Sequence, residues 1–210
     1  MSKKIGLISD VHATPGPLQE ALETLQAAGA ETILCAGDIA GYGTELERTI
    51  ALLIDSDCQV IAGNHDLWWL MRDDIDPAGP VARYLHSLPR VVTRDIVGRQ
   101  IYMVHASPPA SLMDGIRLLD EEGVLIEAEQ RLWSRALHNL ACDVLVVGHT
   151  HQVFAERLGE VTVVNPGSTL FNHSCAVLSL PEMEVEVFGL GGKGPLLSWN
   201  WGMLGDAGFR

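Results

Sequence analysis

The sequence predicts an α/β protein, with parallel strands in the first half of the chain and more antiparallel strands in the second half. In the first half, apolar runs of strand length alternate with amphipathic helical segments between residues 4 and 63. Such alternation is typical of parallel strands connected by helices that cover the faces of the sheet. From residue 153 onward, short strand-like runs are separated only by short segments that contain Gly, Pro or Asn. This second pattern is typical of antiparallel neighbours.

Three strands and two helices are predicted in the first half. The strands are KIGLIS at 4–9, TILCAG at 32–37 and CQVIAG at 58–63. Between residues 15 and 29, apolar residues recur at helical spacing, with a proline near the start and a glycine at the end. Both are common at helix boundaries. The segment TELERTIALLID has the same spacing and predicts a helix between the second and third strands.

The second half is less regular, but its elements can still be assigned in order. PAGPVARYLHSLP predicts a helix between prolines, and residues 91–107 predict a hairpin that turns near Gly98. Apolar residues at helical spacing from Leu125 to Leu140 predict a longer helix, which the strand CDVLVVG follows. Four short strands then complete the pattern: VFAERL, VTVVN, CAVLSL and EVEVFG.

The chain is interpreted as one catalytic domain followed by a short tail. The domain is assigned to residues 1–188, which contain the predicted elements up to Phe188 in the last strand. Residues 189–210 are Gly-rich, contain two tryptophans and have no clear period. We expect this tail to pack either on the domain or on a second subunit, so a homo-oligomer is possible.

Composition limits the class of protein and of partner. A length of 210 residues with 47% hydrophobic content is enough for one well-filled core. The formal net charge of -13 disfavours binding to a nucleic acid duplex or an anionic membrane, because both depend on neutralisation by Lys and Arg. The short apolar start and the scattered cysteines, without CxxC spacing, favour a cytoplasmic protein that is not inserted in a membrane.

Polar side chains that can bind metal follow five of the predicted strands directly. The carboxyl ends of strands are where open α/β sheets place their sites. The candidates are Asp10, His12, Asp38, Asn64, His105, His149 and His151. Each residue alone has an equally good structural explanation, such as a helix cap or a turn, but their recurrence at five strand ends is better explained by one shared site.

The chemistry of these side chains indicates a transition-metal centre. Carboxylate and amide oxygens together with imidazole nitrogens suit Mn, Fe, Zn, Co or Ni better than Ca or Mg. Seven ligands are too many for one tetrahedral ion, and they suit two ions that share one bridging carboxylate. We therefore expect two divalent transition-metal ions per chain, with Mn²⁺ preferred and Fe, Ni, Co or Zn as alternatives.

The full set of motifs resembles the calcineurin-like metallophosphoesterases, and most closely their small bacterial phosphodiesterase branch. The blocks occur in the family's order: DVH at 10–12, GD at 37–38, GNHD at 63–66, HAS at 105–107 and GHTH at 148–151. The sequence NPGS at 165–168 also fits that branch, where it shapes a loop beside the site. The resemblance implies two mixed β-sheets packed as a sandwich with flanking helices.

The resemblance also implies a role for each residue. Asp10, His12 and His151 would bind one metal, Asn64, His105 and His149 would bind the other, and Asp38 would bridge them. His65 would face the leaving group as the catalytic acid, and Asp66 would be its orienting partner. The implied reaction is the hydrolysis of a small or nucleotide-like phosphate ester by in-line attack of a metal-bridging hydroxide.

Two other functions stay open at the level of the sequence. The same ligands would serve a dinucleoside polyphosphate hydrolase or a phosphomonoesterase. A function of a different class is that of a non-catalytic protein-interaction scaffold, a role of relatives that have lost metal ligands. In this sequence every ligand position is filled, which favours an enzyme. Beside the site, Trp68 and Trp69 could line a pocket or pack in the core, and Arg72 could contact a phosphate or lie in solvent.

Overall fold

The computed structural model describes residues 2–199, and it places five helices and ten strands in that range. The helices are α1 (Pro15–Ala27), α2 (Leu46–Asp55), α3 (Asn64–Leu70), α4 (Pro80–Ser87) and α5 (Glu127–Ala136). The strands are β1 (Lys3–Ile8), β2 (Thr32–Cys35), β3 (Gln59–Val60), β4 (Val91–Ile96), β5 (Arg99–Val104), β6 (Val144–Val146), β7 (Val153–Leu158), β8 (Val161–Pro166), β9 (Ser174–Leu180) and β10 (Glu184–Gly189).

The strands form two five-stranded sheets, and each sheet is mixed. The first has the order β10-β9-β1-β2-β3 and the second has the order β4-β5-β6-β8-β7. In the first sheet β1, β2 and β3 are parallel, and β9 and β10 continue it in antiparallel pairing. In the second sheet β5, β6 and β8 are parallel, with antiparallel β4 and β7 at its edges. Fold class and mixed pairing are as the sequence predicts.

Three buried clusters define the layers of the sandwich. One cluster lies between the sheets and combines Ile5 and Leu34 of the first sheet with Met103 and Val144 of the second. Another packs α1 and α2 on the outer face of the first sheet, and the third covers the outer face of the second sheet. Since β1, β2 and β6 are apolar on both faces, they are buried on both sides, as strands in the middle of a layered α/β fold must be.

The boundaries of α1 show how local sequence sets an element. Pro15 occupies the first turn, where its missing N–H and fixed φ are compatible with a helix. Leu18, Leu22 and Leu25 form the buried face. The helix ends before Gly29, whose φ of +86° lies in the left-handed region that glycine adopts at little cost.

Three details differ from the sequence-based expectation. The helix predicted from Leu125 to Leu140 is shorter, because α5 begins at Glu127 and ends at Ala136. Helix α3 was not predicted, because the GNHD motif and the two tryptophans gave no clear helical period over its seven residues. Strand β3 is also shorter than the apolar run CQVIAG, since only Gln59 and Val60 pair with β2. Within the described residues, no helix is long and apolar enough to cross a membrane.

The described cysteines remain free thiols. Cys35 and Cys175 are buried, whereas Cys58 and Cys142 are partly buried.

The first residues of the predicted tail contact the domain. Val153 donates its backbone N–H to the Leu197 carbonyl, and Leu196 donates to the Asn172 carbonyl. Leu190 is almost fully buried. The rest of the predicted tail, from residue 200 and including Trp201, lies outside the described residues.

Candidate metal centre

The seven candidate ligands meet where the strand ends of the two sheets come together, and the backbone there is unusual. Five of them, Asp10, His12, Asp38, His149 and His151, have φ values between 48° and 65°. Residues other than glycine rarely adopt this left-handed conformation, and where they do so together it is commonly at a functional site. The loops after β1, β2 and β6 are therefore bent in a costly way that turns these side chains toward one another.

One group consists of Asp10, His12 and His151, all of which are buried. The His12 and His151 Nε2 atoms lie 3.1 Å apart. Asp10 Oδ1 lies 3.2 Å from His151 Nε2 and 4.0 Å from His12 Nε2. Donor atoms of these three residues lie within 4.8 Å of one another, a grouping that can hold a metal ion.

A second group surrounds the side-chain oxygen of Asn64. His105 Nε2 lies 3.0 Å from Asn64 Oδ1, and His149 Nδ1 lies 2.9 Å from the same atom. Asn64 follows β3 in the first sheet, whereas His105 and His149 follow β5 and β6 in the second. This group therefore joins the two sheets.

Asp38 lies between the two groups. Its Oδ2 lies 3.4 Å from His105 Nε2, and its Oδ1 accepts the His65 backbone N–H at 2.9 Å. It belongs to two further groupings with metal-ligand spacing, one with His12 and His65 and one with Asp10 and His105.

Two glycines of the motifs allow this close approach. A Cβ on Gly63 would overlap the Asp38 carboxylate, and a Cβ on Gly148 would overlap Ser9 Oγ and crowd Asp10 Oδ2. The presence of glycine at the first position of GNHD and of GHTH is thus explained, because the carboxylates occupy the space that a side chain would need.

Charge and burial act on this centre in opposite directions. Burial opposes ionisation of Asp10, but the neighbouring His151 holds its pKa below the ordinary range. Burial lowers the pKa of His12 to about 4, so that its imidazole is neutral near pH 7. Burial also opposes the charging of His105, yet the Asp38 carboxylate raises the pKa of His105 to about 9. The two imidazoles therefore differ: burial favours the neutral form of His12, whereas the Asp38 carboxylate favours the charged form of His105.

His65 lies at the accessible side of the centre. Its ring is partly buried and stands 4.9 Å, centroid to centroid, from the ring of His12 and 4.8 Å from that of Trp68. Burial lowers the pKa of His65 below its ordinary value.

Asp66, the expected orienting partner of His65, is fully buried and binds backbone. Its Oδ1 accepts the Ala40 N–H and its Oδ2 accepts the Gly63 N–H, both at 2.8 Å. Burial raises the pKa of Asp66 to about 7. Asp66 thus connects the loop after β2 with the start of α3, which are the two segments that carry Asp38 and His65.

A cavity of about 490 Å³ opens over the centre. Trp68 lines this cavity, which is the first of the two roles that the sequence left open for the tryptophans. Trp69 has the second role, because it packs against the core beside α1 and α2. Arg72 lies on the surface, where its guanidinium donates to the Asp74 carboxylate at 3.0 and 2.7 Å.

The cavity also includes Met113 and Arg117. Sequence reasoning missed these two, because the irregular segment after HAS has no period or motif.

The NPGS segment and the described part of the tail hold the loops of the centre in place. Ser168 Oγ donates to the Asp10 carbonyl at 2.6 Å, and Asn165 Nδ2 donates to the Gly148 carbonyl at 3.0 Å. The His151 carbonyl accepts the Trp199 backbone N–H at 3.1 Å. Phe171 stacks on the His151 ring at 5.0 Å and itself contacts the Trp199 ring at 5.0 Å.

The chain shares this fold with solved structures. A hypothetical protein from Pyrococcus horikoshii superimposes with a TM-score of 0.72 at 19% identity, over 96% of this chain and 90% of that one. A metallophosphoesterase from Sphaerobacter thermophilus gives a TM-score of 0.68 at 21% identity, over 91% and 89% of the two chains. A protein described as a novel archaeal phosphodiesterase gives a TM-score of 0.59 at 19% identity, over 89% of this chain and 99% of that one.

Sequence comparison assigns the family. An uncharacterized protein from Methanocaldococcus jannaschii is 30% identical over 120 residues, which are 50% of this chain and 49% of that protein, so the match spans about half of that relative. The family model for the calcineurin-like phosphoesterase superfamily domain matches residues 4–180. That range contains every candidate ligand, and the chain belongs to the calcineurin-like phosphoesterase superfamily.

Proposed function

We propose that this protein is a phosphoesterase with two metal ions, and that it hydrolyses small phosphodiesters. The observation that carries the proposal is the convergence of seven oxygen- and nitrogen-bearing side chains, five of them on left-handed backbone, beneath an open cavity. A purely structural cluster would not require so many backbone segments in a costly conformation.

The donor set fits two transition-metal ions. In this proposal Asp10, His12 and His151 hold one ion, Asn64, His105 and His149 hold the other, and Asp38 bridges them. The contact between two imidazole nitrogens, His12 Nε2 and His151 Nε2, supports this assignment, because a shared cation would satisfy both lone pairs. Divalent ions at such a site supply Lewis acidity toward the phosphoryl oxygens and lower the pKa of bound water.

Backbone carbonyls fix the orientation of two of these imidazoles. His12 Nδ1 lies 3.1 Å from the Ala40 carbonyl, and His105 Nδ1 lies 2.6 Å from the Ala36 carbonyl. When Nδ1 of a neutral imidazole donates to a carbonyl, Nε2 keeps its lone pair. A bound cation would displace the proton that Asp38 favours on His105, because metal binding requires the neutral ring. Mn²⁺ is the proposed native ion, and Fe, Ni, Co and Zn suit the same donors.

His65 and Asp66 have different proposed roles. The His65 ring borders the cavity, where a protonated imidazole would donate to the departing oxygen of the ester. The Asp66 carboxylate binds the backbone on both sides of the centre, and we assign it a positioning role through the segments that carry Asp38 and His65.

The charge of the centre explains how an acidic chain would bind a phosphate ester. With two divalent ions and the two carboxylates of Asp10 and Asp38, the centre would carry about +2. The formal net charge of the whole chain is -13, so the attraction for an anion is local. This favours small esters that fit the cavity over a nucleic acid duplex, which needs a wide basic surface.

The proposal is tested by a matrix of substrates and metals. Bis-p-nitrophenyl phosphate, p-nitrophenyl phosphate, cyclic nucleotides and diadenosine tetraphosphate are each assayed with Mn, Ni, Co, Zn and Mg. We expect diesters to be hydrolysed best and Mn to support the highest rate. Preference for the monoester or for diadenosine tetraphosphate would replace the diesterase assignment, and bound metal without turnover on any ester would favour an interaction scaffold.

A further inference from the structure

The cavity over the centre has walls that the metal-binding motifs do not explain. Its floor contains the candidate ligands Asp38, Asn64, His149 and His151. Its walls include Trp68, Met113 and Arg117. Trp68 is 48% exposed and Met113 is 54% exposed, although burial of such apolar side chains would stabilise the fold. The exposed apolar area is therefore placed where a bound molecule could cover it.

Trp68 forms the wall beside His65. Trp68 lies on α3, and its indole meets the His65 ring in an edge arrangement with centroids 4.8 Å apart and planes inclined by 61°. An indole is a large planar surface on which another planar ring can stack. A ligand ring on Trp68 would therefore lie beside the group proposed to face the departing oxygen.

Met113 and Arg117 are carried by a segment that packs on the GHTH loop. Gly115 approaches this loop so closely that a Cβ there would crowd the side chains of Thr150 and His149. Thr150 Oγ1 donates to the Ile116 carbonyl at 3.1 Å, which fixes the segment in register. These contacts hold the backbone that leads into Arg117, which lines the same cavity as His149.

Arg117 differs from four other arginines in having no carboxylate partner among the described residues, and from the remaining described arginines in bordering the cavity. Arg48, Arg72, Arg99 and Arg131 each pair with a carboxylate at 3.3 Å or less. Among the ion pairs formed within residues 2–199, none involves Arg117, which is exposed and borders the cavity. A guanidinium presents several donors in a plane, and this geometry matches the oxygens of phosphate as well as those of carboxylates.

We propose that the cavity binds a nucleotide with more than one phosphate, with the base on Trp68 and the second phosphate on Arg117. This inference rests on the proposed function in one respect: the metal centre would hold the first phosphoryl group of the nucleotide. A cavity of about 490 Å³ is large enough for such a molecule, since pockets for ligands of drug size measure roughly 300–1,000 Å³. The flexible thioether of Met113 provides an adaptable contact for the ligand.

Four probes separate the two contacts. Inorganic phosphate has neither a base nor a second phosphate, pyrophosphate has only the second phosphate, adenosine monophosphate has only the base, and adenosine diphosphate has both. Their dissociation constants are measured by calorimetry on the manganese-loaded protein, with free Mn²⁺ held constant by an excess of buffered metal because diphosphates chelate it.

Each variant should affect only the probes that carry its group. Trp68→Ala should weaken adenosine monophosphate and adenosine diphosphate by about 10-fold, and Trp68→Phe should recover part of this loss. Arg117→Gln should weaken pyrophosphate and adenosine diphosphate by about 10-fold. Phosphate binding should stay constant in all variants, which also shows that the centre is intact.

Met71→Ala and Arg72→Gln are the matched controls. Met71 is 78% exposed at the end of α3 and Arg72 is paired with Asp74, and neither lines the cavity. These controls should leave all four constants unchanged. Equal losses on all four probes, or none, in Trp68→Ala or Arg117→Gln would overturn the inference. The measurement does not depend on turnover: absence of hydrolysis would refute the proposed function alone.

Discussion

At the scale of single residues, the centre depends on short contacts between groups that are far apart in sequence. Asn64 Oδ1 lies 3.0 Å from His105 Nε2 and 2.9 Å from His149 Nδ1, across separations of 41 and 85 residues. The sequence predicted which residue types would meet, because they follow apolar strands in a recognisable order. It did not predict Arg117, since nothing in the irregular loop after β5 indicates that its arginine will border the cavity.

Replacement of Asp38, the proposed bridging carboxylate, tests the ligand assignment. Asp38→Ala should abolish stoichiometric binding of both ions, because the proposed bridge contributes to both positions. Elemental analysis after gel filtration measures the metal content, and circular dichroism verifies the fold. Asp55→Ala removes an exposed carboxylate from the end of α2 and should keep both ions. Two ions per chain in Asp38→Ala would contradict the bridge.

Replacement of His65 tests its role at the leaving group. His65→Ala should keep its metal but lose about 10²- to 10⁴-fold in kcat on an ester with a poor leaving group, the range typical of general acid–base catalysis. The loss should be smaller for p-nitrophenyl esters, because p-nitrophenolate departs without a proton. His86→Ala, an exposed histidine on α4, is the control. Equal losses on both classes of ester would remove His65 from this role.

At the scale of elements, the loops of the centre are held by segments that lie outside the metal-binding motifs. Ser168 of the NPGS segment binds the Asp10 carbonyl, while Asn172 and Trp199 donate to the His151 carbonyl. Most helices and strands could be predicted because their periodicity is local. Helix α3 could not, since it is only seven residues long and its start depends on the contact between Asp66 and the Gly63 N–H.

Removal of the tail tests whether it supports the centre. We propose that truncation after Gly189 lowers the free energy of unfolding by about 2–4 kcal/mol, because several backbone hydrogen bonds of about 1 kcal/mol each are lost. It should also weaken metal binding at the site of His151, measured by calorimetry. Trp199→Ala should have a smaller effect, since it removes only the ring on Phe171. Unchanged stability, metal affinity and oligomer size after truncation would argue against any packing role.

At the scale of the whole molecule, the centre lies where two sheets meet, and its proposed ligands come from both. Asp10, Asp38 and Asn64 follow strands of the first sheet, whereas His105 and His149 follow strands of the second. Bound ions would therefore connect the two halves of the sandwich. Ligands of the native state stabilise it by mass action, and metal binding is coupled to folding in the same way.

Metal removal should lower the thermal stability of the whole domain. At metal concentrations 100-fold above Kd, one bound ion contributes about 2.7 kcal/mol, which corresponds to roughly 5–10 °C in Tm for a domain of this size. Scanning calorimetry before and after chelation measures the shift, and readdition of Mn²⁺ should restore the original Tm. A Tm that does not respond to chelation would contradict a metal centre that stabilises the native state.

The sequence by itself determined most of the elements, the family motifs and the set of candidate metal ligands, because periodicity and motif spacing are local properties of the chain. The tertiary structure decided how the strands divide between the sheets: β9 and β10, from the end of the chain, pair next to β1 and complete the first sheet. It also decided that Trp68 and Arg117 border one cavity. Both outcomes depend on contacts between distant segments, whose partners are selected by the packing of the whole molecule.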